Sequence, residues 1–216
     1  MACMSTVCLF SKTAVDGRFV FDVEPPADIA IKTDGDPSPT PRRAAALHPV
    51  RLTEARVMDV GVVRSPSLPD GVPLAPAAKD PQIIQAGDGL TLTLNRGALT
   101  PRLGEVLIDV AARQVPGALV PRYAALGNDQ VLAVYALHPF AAKSAMPIQV
   151  RARMPLPDGT VVRFQTISEI DGRFSPPVSG RAAGGWVSTD AGTGISELTY
   201  LVISTRTAHV RTDAVR

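Results

Sequence analysis

The residues Asp-Gly-Arg-Phe occur twice, at Asp16–Phe19 and at Asp171–Phe174, each time between segments that alternate like strands. Asp-Gly permits the positive φ that a tight chain reversal needs, and an aromatic soon after it suits a pleated strand. The repeat therefore marks two hairpins in distant parts of the chain and constrains it to antiparallel β-structure. Twenty prolines and 17 glycines among 216 residues act in the same direction, since they break up any long helix. No twelve-residue window carries a 3.6-residue apolar period, so the expected class is all-β.

Val7–Ser11 and Arg18–Val23 are expected to pair across the first turn, with Phe19, Phe21 and Val23 on one face. Pro25-Pro26 ends that strand, and Asp28–Thr33 follows with Ile29 and Ile31 in phase. Residues 34–41 read as a loop, Arg42–Leu47 as one helical turn, and Val50–Thr53 and Arg56–Val63 as strands. Pro66, Pro69, Pro73, Pro76 and Pro81 then mark an extended linker or a surface-hugging crossover. Beyond it, Leu90–Leu94 alternates, and Glu105–Val110 puts Val106, Ile108 and Val110 in phase. Val131–Leu137 is apolar enough to be buried on both faces. Ile148–Met154 directs Ile148, Val150, Ala152 and Met154 inward, and Thr160–Ser168, Gly180–Thr189 and Ile195–Ser204 complete the strands. The expected organisation is two antiparallel β-sandwich modules, residues 1–64 and 82–204, joined by a Pro-rich linker at 65–81 and followed by a polar tail at 205–216.

Composition narrows the function. A net charge of +2 with no basic stripe excludes nucleic acid as the expected partner. Arg206, Arg211 and Arg216 read as a solvated terminus, and no stretch of about 18 apolar residues forms a membrane span. The first residues have neither a basic start nor a small-residue cleavage site, so they do not read as a secretory signal. Cys3 and Cys8 on a single strand would face opposite sides, so two free, partly buried thiols are expected.

His48, His138 and His209 are scattered, and the first two precede proline. No nucleophile elbow, zinc-binding histidine pair or phosphate-cradling loop is present. Gly184-Gly185 and Ala191–Gly194 read as hairpin turns. Asp34-Gly-Asp36 offers oxygens to calcium without completing a loop. Trp186 reads as a core ring rather than a sugar platform, because aromatics are only 5% of the chain. No catalytic, cofactor-binding or metal residue is expected. Only a cluster of His138 with acidic side chains in a real pocket would revive an enzyme.

Two resemblances bear on these segments. Thr13-Ala-Val-Asp-Gly-Arg-Phe-Val-Phe21, Val23-Glu-Pro-Pro26 and Val57-Met-Asp-Val-Gly-Val-Val63 resemble a carboxypeptidase regulatory-like (transthyretin-like) β-sandwich. The opening strand of that family has no counterpart here, which implies either a truncated start or an open sheet edge. Gly89-Leu-Thr-Leu-Thr-Leu-Asn-Arg-Gly-Ala98, Gly104-Glu-Val106 and Pro155-Leu-Pro-Asp-Gly-Thr160 resemble, more loosely, the β-sandwich domain of ankyrins and netrin receptors, with relatives in bacterial surface proteins. Some of those relatives cleave themselves at His-x-Ser or His-x-Thr, but His138-Pro-Phe-Ala141 lacks the hydroxyl nucleophile at that place, so self-cleavage is not implied.

The resulting expectation is a non-enzymatic structural or adhesive protein of a cell surface or multi-subunit assembly. Its partner, or a second copy, would pair with an open edge near Val7–Ser11. A module binding glycan or calcium is the alternative. The location is secreted or cell-surface if the start is truncated.

Overall fold

A computed structural model describes residues 1–5, 7–33, 42–120, 123, 126–127 and 129–206. Among these residues every element is a β-strand or a three-residue 3-10 turn. The first four strands, β1 (Ala2–Met4), β2 (Val7–Leu9), β3 (Ala27–Thr33) and β4 (Ala46–Leu52), form an antiparallel sheet in the order β2-β1-β3-β4. The remaining strands are β5 (Val72–Pro73), β6 (Gln82–Gly87), β7 (Leu90–Leu94), β8 (Leu99–Thr100), β9 (Asp109–Gln114), β10 (Asp129–His138), β11 (Ala142–Arg153), β12 (Val161–Ile167), β13 (Val178–Ala183), β14 (Trp186–Thr189), β15 (Ile195–Leu198) and β16 (Tyr200–Arg206). Their order is β5-β9-β10-β16-β12-β13-β14-β11-β7-β6, with β8 and β15 also paired to β11.

This second sheet curls until β6, at one end, lies beside β9 near the other. The seam needs a glycine: a Cβ on Gly87, at φ +125°, would lie 2.6 Å from Ala112 O. The adjacent Asp88 carboxylate accepts a bond from Gln114 N at 2.8 Å and ties the seam further. The all-β class and antiparallel pairing are as expected. In place of facing sheets in each module, the chain forms one small sheet and one nearly closed, barrel-like sheet.

Strand periodicity accounts for the interior. Leu90, Leu92 and Leu94 of β7, and Ile148, Val150 and Ala152 of β11, point into the barrel and are fully buried. Phe164, Leu201 and Ile203 complete that core from the opposite wall. Each of these leucine, isoleucine, valine and phenylalanine side chains contributes about 1.5–3 kcal/mol of burial. β10 is buried on both faces, as its apolar run predicts. Ala133, Tyr135 and Leu137 enter the barrel, while Val134 and Ala136 face outward.

The outward face is covered by the small sheet. Cys3, Ala30 and Leu47 pack against Ala111, Val134, Ala136, Tyr200 and Val202. The small sheet's other face carries Ala2, Ile29, Ile31 and Leu52, covered by Phe19, Phe21, Val23, Met58, Val60 and Val63. Both copies of Asp-Gly-Arg-Phe meet this sheet, one from each side. Each copy turns with an Arg N–H bonded to its Asp side chain (Arg18 to Asp16, Arg173 to Asp171) and a glycine at positive φ. The first copy places Phe19 and Phe21 against the sheet's outer face. The second docks on β3 from the barrel side. Arg173 Nε binds Asp28 Oδ2 at 2.9 Å, and Phe174 meets Tyr123 edge-on at 5.2 Å between ring centroids.

Several sequence expectations are corrected. Val7–Ser11 does not pair with Arg18–Val23: β2 pairs with β1, and residues 18–23 lie outside any ladder. Cys3 and Cys8 are bonded to each other, not free. The chain reverses after Met4, with Ser5 at φ +51°, so the two cysteines stand opposite each other on neighbouring strands. Arg42–Leu47 is extended rather than helical, because its backbone is taken by residues 65–68: Ala44 N donates to Pro66 O and Leu68 N to Arg42 O. Arg56–Val63 is irregular, with Met58, Val60 and Val63 packed down and Val57 and Val62 exposed. The expected strand at Glu105–Val110 starts only at Asp109, and Val106 and Ile108 are exposed. Within 65–81, Leu68 is buried, β5 joins the barrel, and residues 77–79 form a 3-10 turn. The loop at 34–41 and the tail beyond Arg206 lie outside the described residues.

Candidate functional site

Two surfaces stand out. The first is β2, an end strand of the small sheet. Met1 O accepts from Lys32 N across β1 and β3, so the period-two alternation turns Cys3 toward β3 and Ala2 and Met4 toward β2. Ala2 and Met4 face Leu9 and Val7, which leaves the N–H and C=O of Cys8 directed out of the sheet. Val7 is 54% exposed and Phe10, just beyond the strand, 79%. The sheet edge near Val7–Ser11 therefore carries outward main-chain groups and apolar side chains together.

The second surface is a half-open cleft of about 1050 Å³ between β4, residues 62–67 and the end of β9 with the following turn. Its floor includes Leu47, Val115, Tyr123 and Tyr200, and its rim carries Arg43, Arg64, Arg113, His48 and Asp88. Arg113 donates to Ser67 O at 2.7 Å and to Asp88 Oδ1 at 3.3 Å; Arg43 donates to Ser65 O at 3.3 Å. Burial pushes both tyrosine hydroxyls well above their usual range and lowers His48, so the tyrosines stay protonated and the histidine neutral at pH 7. The hydroxyl of Tyr123 is buried without a hydrogen-bond partner among the described residues. Sequence reasoning missed these arginines because they share no motif; only the meeting of the segments around residues 43 and 64 with the end of β9 brings them together.

His138 does sit beside an acid. Its Nε2 is 3.5 Å from Asp109 Oδ1, but Asp109 already holds Arg42 through two bonds, at 2.6 and 3.0 Å. Burial, helped by the Arg42 charge and opposed by Asp109, lowers the imidazole pKa to about 4. Neither residue lines the 1050 Å³ cleft or the adjoining cavity of about 530 Å³, so the trio reads as a partly buried polar network fixing residue 42 to β9. His209, Arg211, Arg216 and Asp34–Asp36 lie outside the described residues, and Arg206 ends β16.

Trp186 corrects the expectation of a core ring. Its neighbour Val187 points inward, so Trp186 lies on the outer surface, half-buried, with the Arg151 guanidinium 4.3 Å from the ring centroid. Gly184-Gly185 forms the turn between β13 and β14, as expected, with both glycines at positive φ. Residues 191–194 turn between β14 and β15, and Thr193 N donates to Asp190 O.

A further buried pair joins the two sheets: Lys32 Nζ meets Glu169 Oε2 at 2.5 Å. Nearby, burial raises the pKa of Glu197, opposed by its bond from Thr166. Among the described residues no group of three His, Cys, Asp or Glu side chains is arranged to hold a metal ion. No described helix is long and apolar enough to cross a membrane. Comparison with the profiles of known protein families, with curated proteins and with solved structures finds no match to this chain.

Proposed function

We propose that this protein is a non-enzymatic structural or adhesive component of a cell surface or multi-subunit assembly, and that it associates by strand addition at β2. The observation that carries this reading is the end-strand position of β2, with the Cys8 main chain directed outward beside exposed Val7 and Phe10. An unpaired edge of this kind recruits another strand, which supplies the missing main-chain bonds and covers the apolar side chains. The occupant that fits is a second copy of the chain. Two β2 strands related by a two-fold axis at Cys8 would exchange both Cys8 main-chain bonds and set Val7 opposite Leu9. The Cys3–Cys8 bond supports an oxidising compartment, in keeping with the surface setting implied by the family resemblances.

The shared strand is only a few residues long, so the contact is weak and concentration-dependent. Size-exclusion chromatography with light scattering, run from about 10 μM to about 1 mM, checks this. The expected result is a shift from monomer to dimer that Phe10→Lys abolishes. A monomer throughout would sink the reading. Calcium titration and a glycan array test the ligand-binding alternative, and a saturable response in either, with no dimer, would favour it.

A further inference from the structure

The cleft beside β4 combines features that specify a ligand chemistry. Its rim brings three guanidinium groups, those of Arg43, Arg64 and Arg113, against one carboxylate. That carboxylate, Asp88, is already engaged by Arg113 and by Gln114 N–H. Arg64 has no side-chain hydrogen bond or ion pair among the described residues, and Arg43 has only its 3.3 Å bond to Ser65 O. Each therefore has donors to spare in the planar fork that matches a phosphate or carboxylate. Beneath the rim the wall is largely apolar, and the volume of about 1050 Å³ is far larger than a bare inorganic anion needs.

We infer that this cleft binds a small organic anion: a phosphate or carboxylate group held by Arg43 and Arg64, carried on an apolar body that lies against Leu47, Val63 and Val115. The arginines set the sign of the ligand, and the apolar wall adds affinity that a bare ion cannot draw on. The buried Tyr123 hydroxyl is a polar group on a floor that packing alone would make apolar. None of these residues belongs to β2, so the cleft is independent of the proposed strand addition.

The test is calorimetric titration of the full chain with phenyl phosphate, benzoate and inorganic phosphate, at about 0.15 M salt. Amide-shift mapping accompanies each titration. Phenyl phosphate or benzoate should bind about tenfold tighter than inorganic phosphate, and the tighter of the two identifies the headgroup. Shifts should concentrate at residues 43–48, 62–67 and 113–117. Arg64→Gln should weaken binding about fivefold, and Arg43→Gln/Arg64→Gln further. The Arg64→Gln melting temperature should stay unchanged, because this side chain makes no hydrogen bond or ion pair among the described residues. Any of the following results would overturn the inference. One is inorganic phosphate binding as tightly as phenyl phosphate. Another is shifts spread over arginines outside the cleft, such as Arg51 and Arg151. A third is failure of all three probes to bind, and a fourth is Arg64→Gln binding like the parent.

Discussion

Substituting alanine for the glycine in each Asp-Gly-Arg-Phe turn isolates what the second copy does. Gly17 and Gly172 have φ of +83° and +69°, so a Cβ in the left-handed region costs about 1–2 kcal/mol at either position. Their surroundings differ. A Cβ on Gly17 meets nothing within 4 Å, whereas one on Gly172 would lie 2.7 Å from Ile29 O and 3.0 Å from the Pro49 side chain. Relief requires moving β3 and β4 away from the turn, or pulling the turn out of its dock with the Arg173–Asp28 contact. Overpacking of this kind adds about 1–2 kcal/mol. Gly172→Ala should therefore destabilise the protein by about 1–2 kcal/mol more than Gly17→Ala in parallel urea titrations. The backbone cost is common to both variants and cancels. Equal losses would refute the claim that the second turn clamps the small sheet onto the barrel.

His138 makes stability sensitive to acid. Its pKa is about 4 folded, against an ordinary 6.5, so there is no penalty above about pH 6.5. As pH falls from there toward 4, protons increasingly favour the unfolded chain. The shift corresponds to about 2 kcal/mol at pH 5, which exposure of about a third of the ring reduces to about 1 kcal/mol. Urea titrations of the parent and of His138→Asn should diverge by that amount between pH 7 and pH 5, and parallel curves would count against the burial. Gly180→Ala should cost about 2–3 kcal/mol, read by thermal melting. Its Cβ would run into Ser188 O of the neighbouring strand and sit 2.6 Å from a Phe164 ring carbon. An unchanged melt would mean that β12, β13 and β14 are not packed as described.

Long alternating runs were legible because burial on one face imposes period two over enough residues to exceed chance. Leu90–Leu94 and Ile148–Met154 are examples, and Val131–Leu137 showed double-sided burial by the lack of alternation. Short or tertiary-determined segments were not legible. β1 and β2 have three residues each and turn at Ser5, which carries no local signal for positive φ, so Cys3 and Cys8 read as one strand. Arg42–Leu47 has reasonable helix formers, but pairing with residues 65–68 overrides that weak preference. Arg56–Val63 has the apolar residues of a strand, yet covers a sheet face without joining a ladder. The cleft was illegible for another reason: Arg43, Arg64 and Arg113 meet only through the folding of three distant segments.

Amide hydrogen exchange at β2 tests the central claim most directly, because adjacent residues act as internal controls. Val7 and Leu9 direct their amides toward β1 and should be protected at every concentration. Cys8 directs its amide outward and should exchange freely near 10 μM, then slow by about tenfold or more toward 1 mM as a second strand docks. Fast exchange at Cys8 at all concentrations, with Val7 and Leu9 still protected, would show an intact sheet whose edge recruits no second copy, contradicting the account.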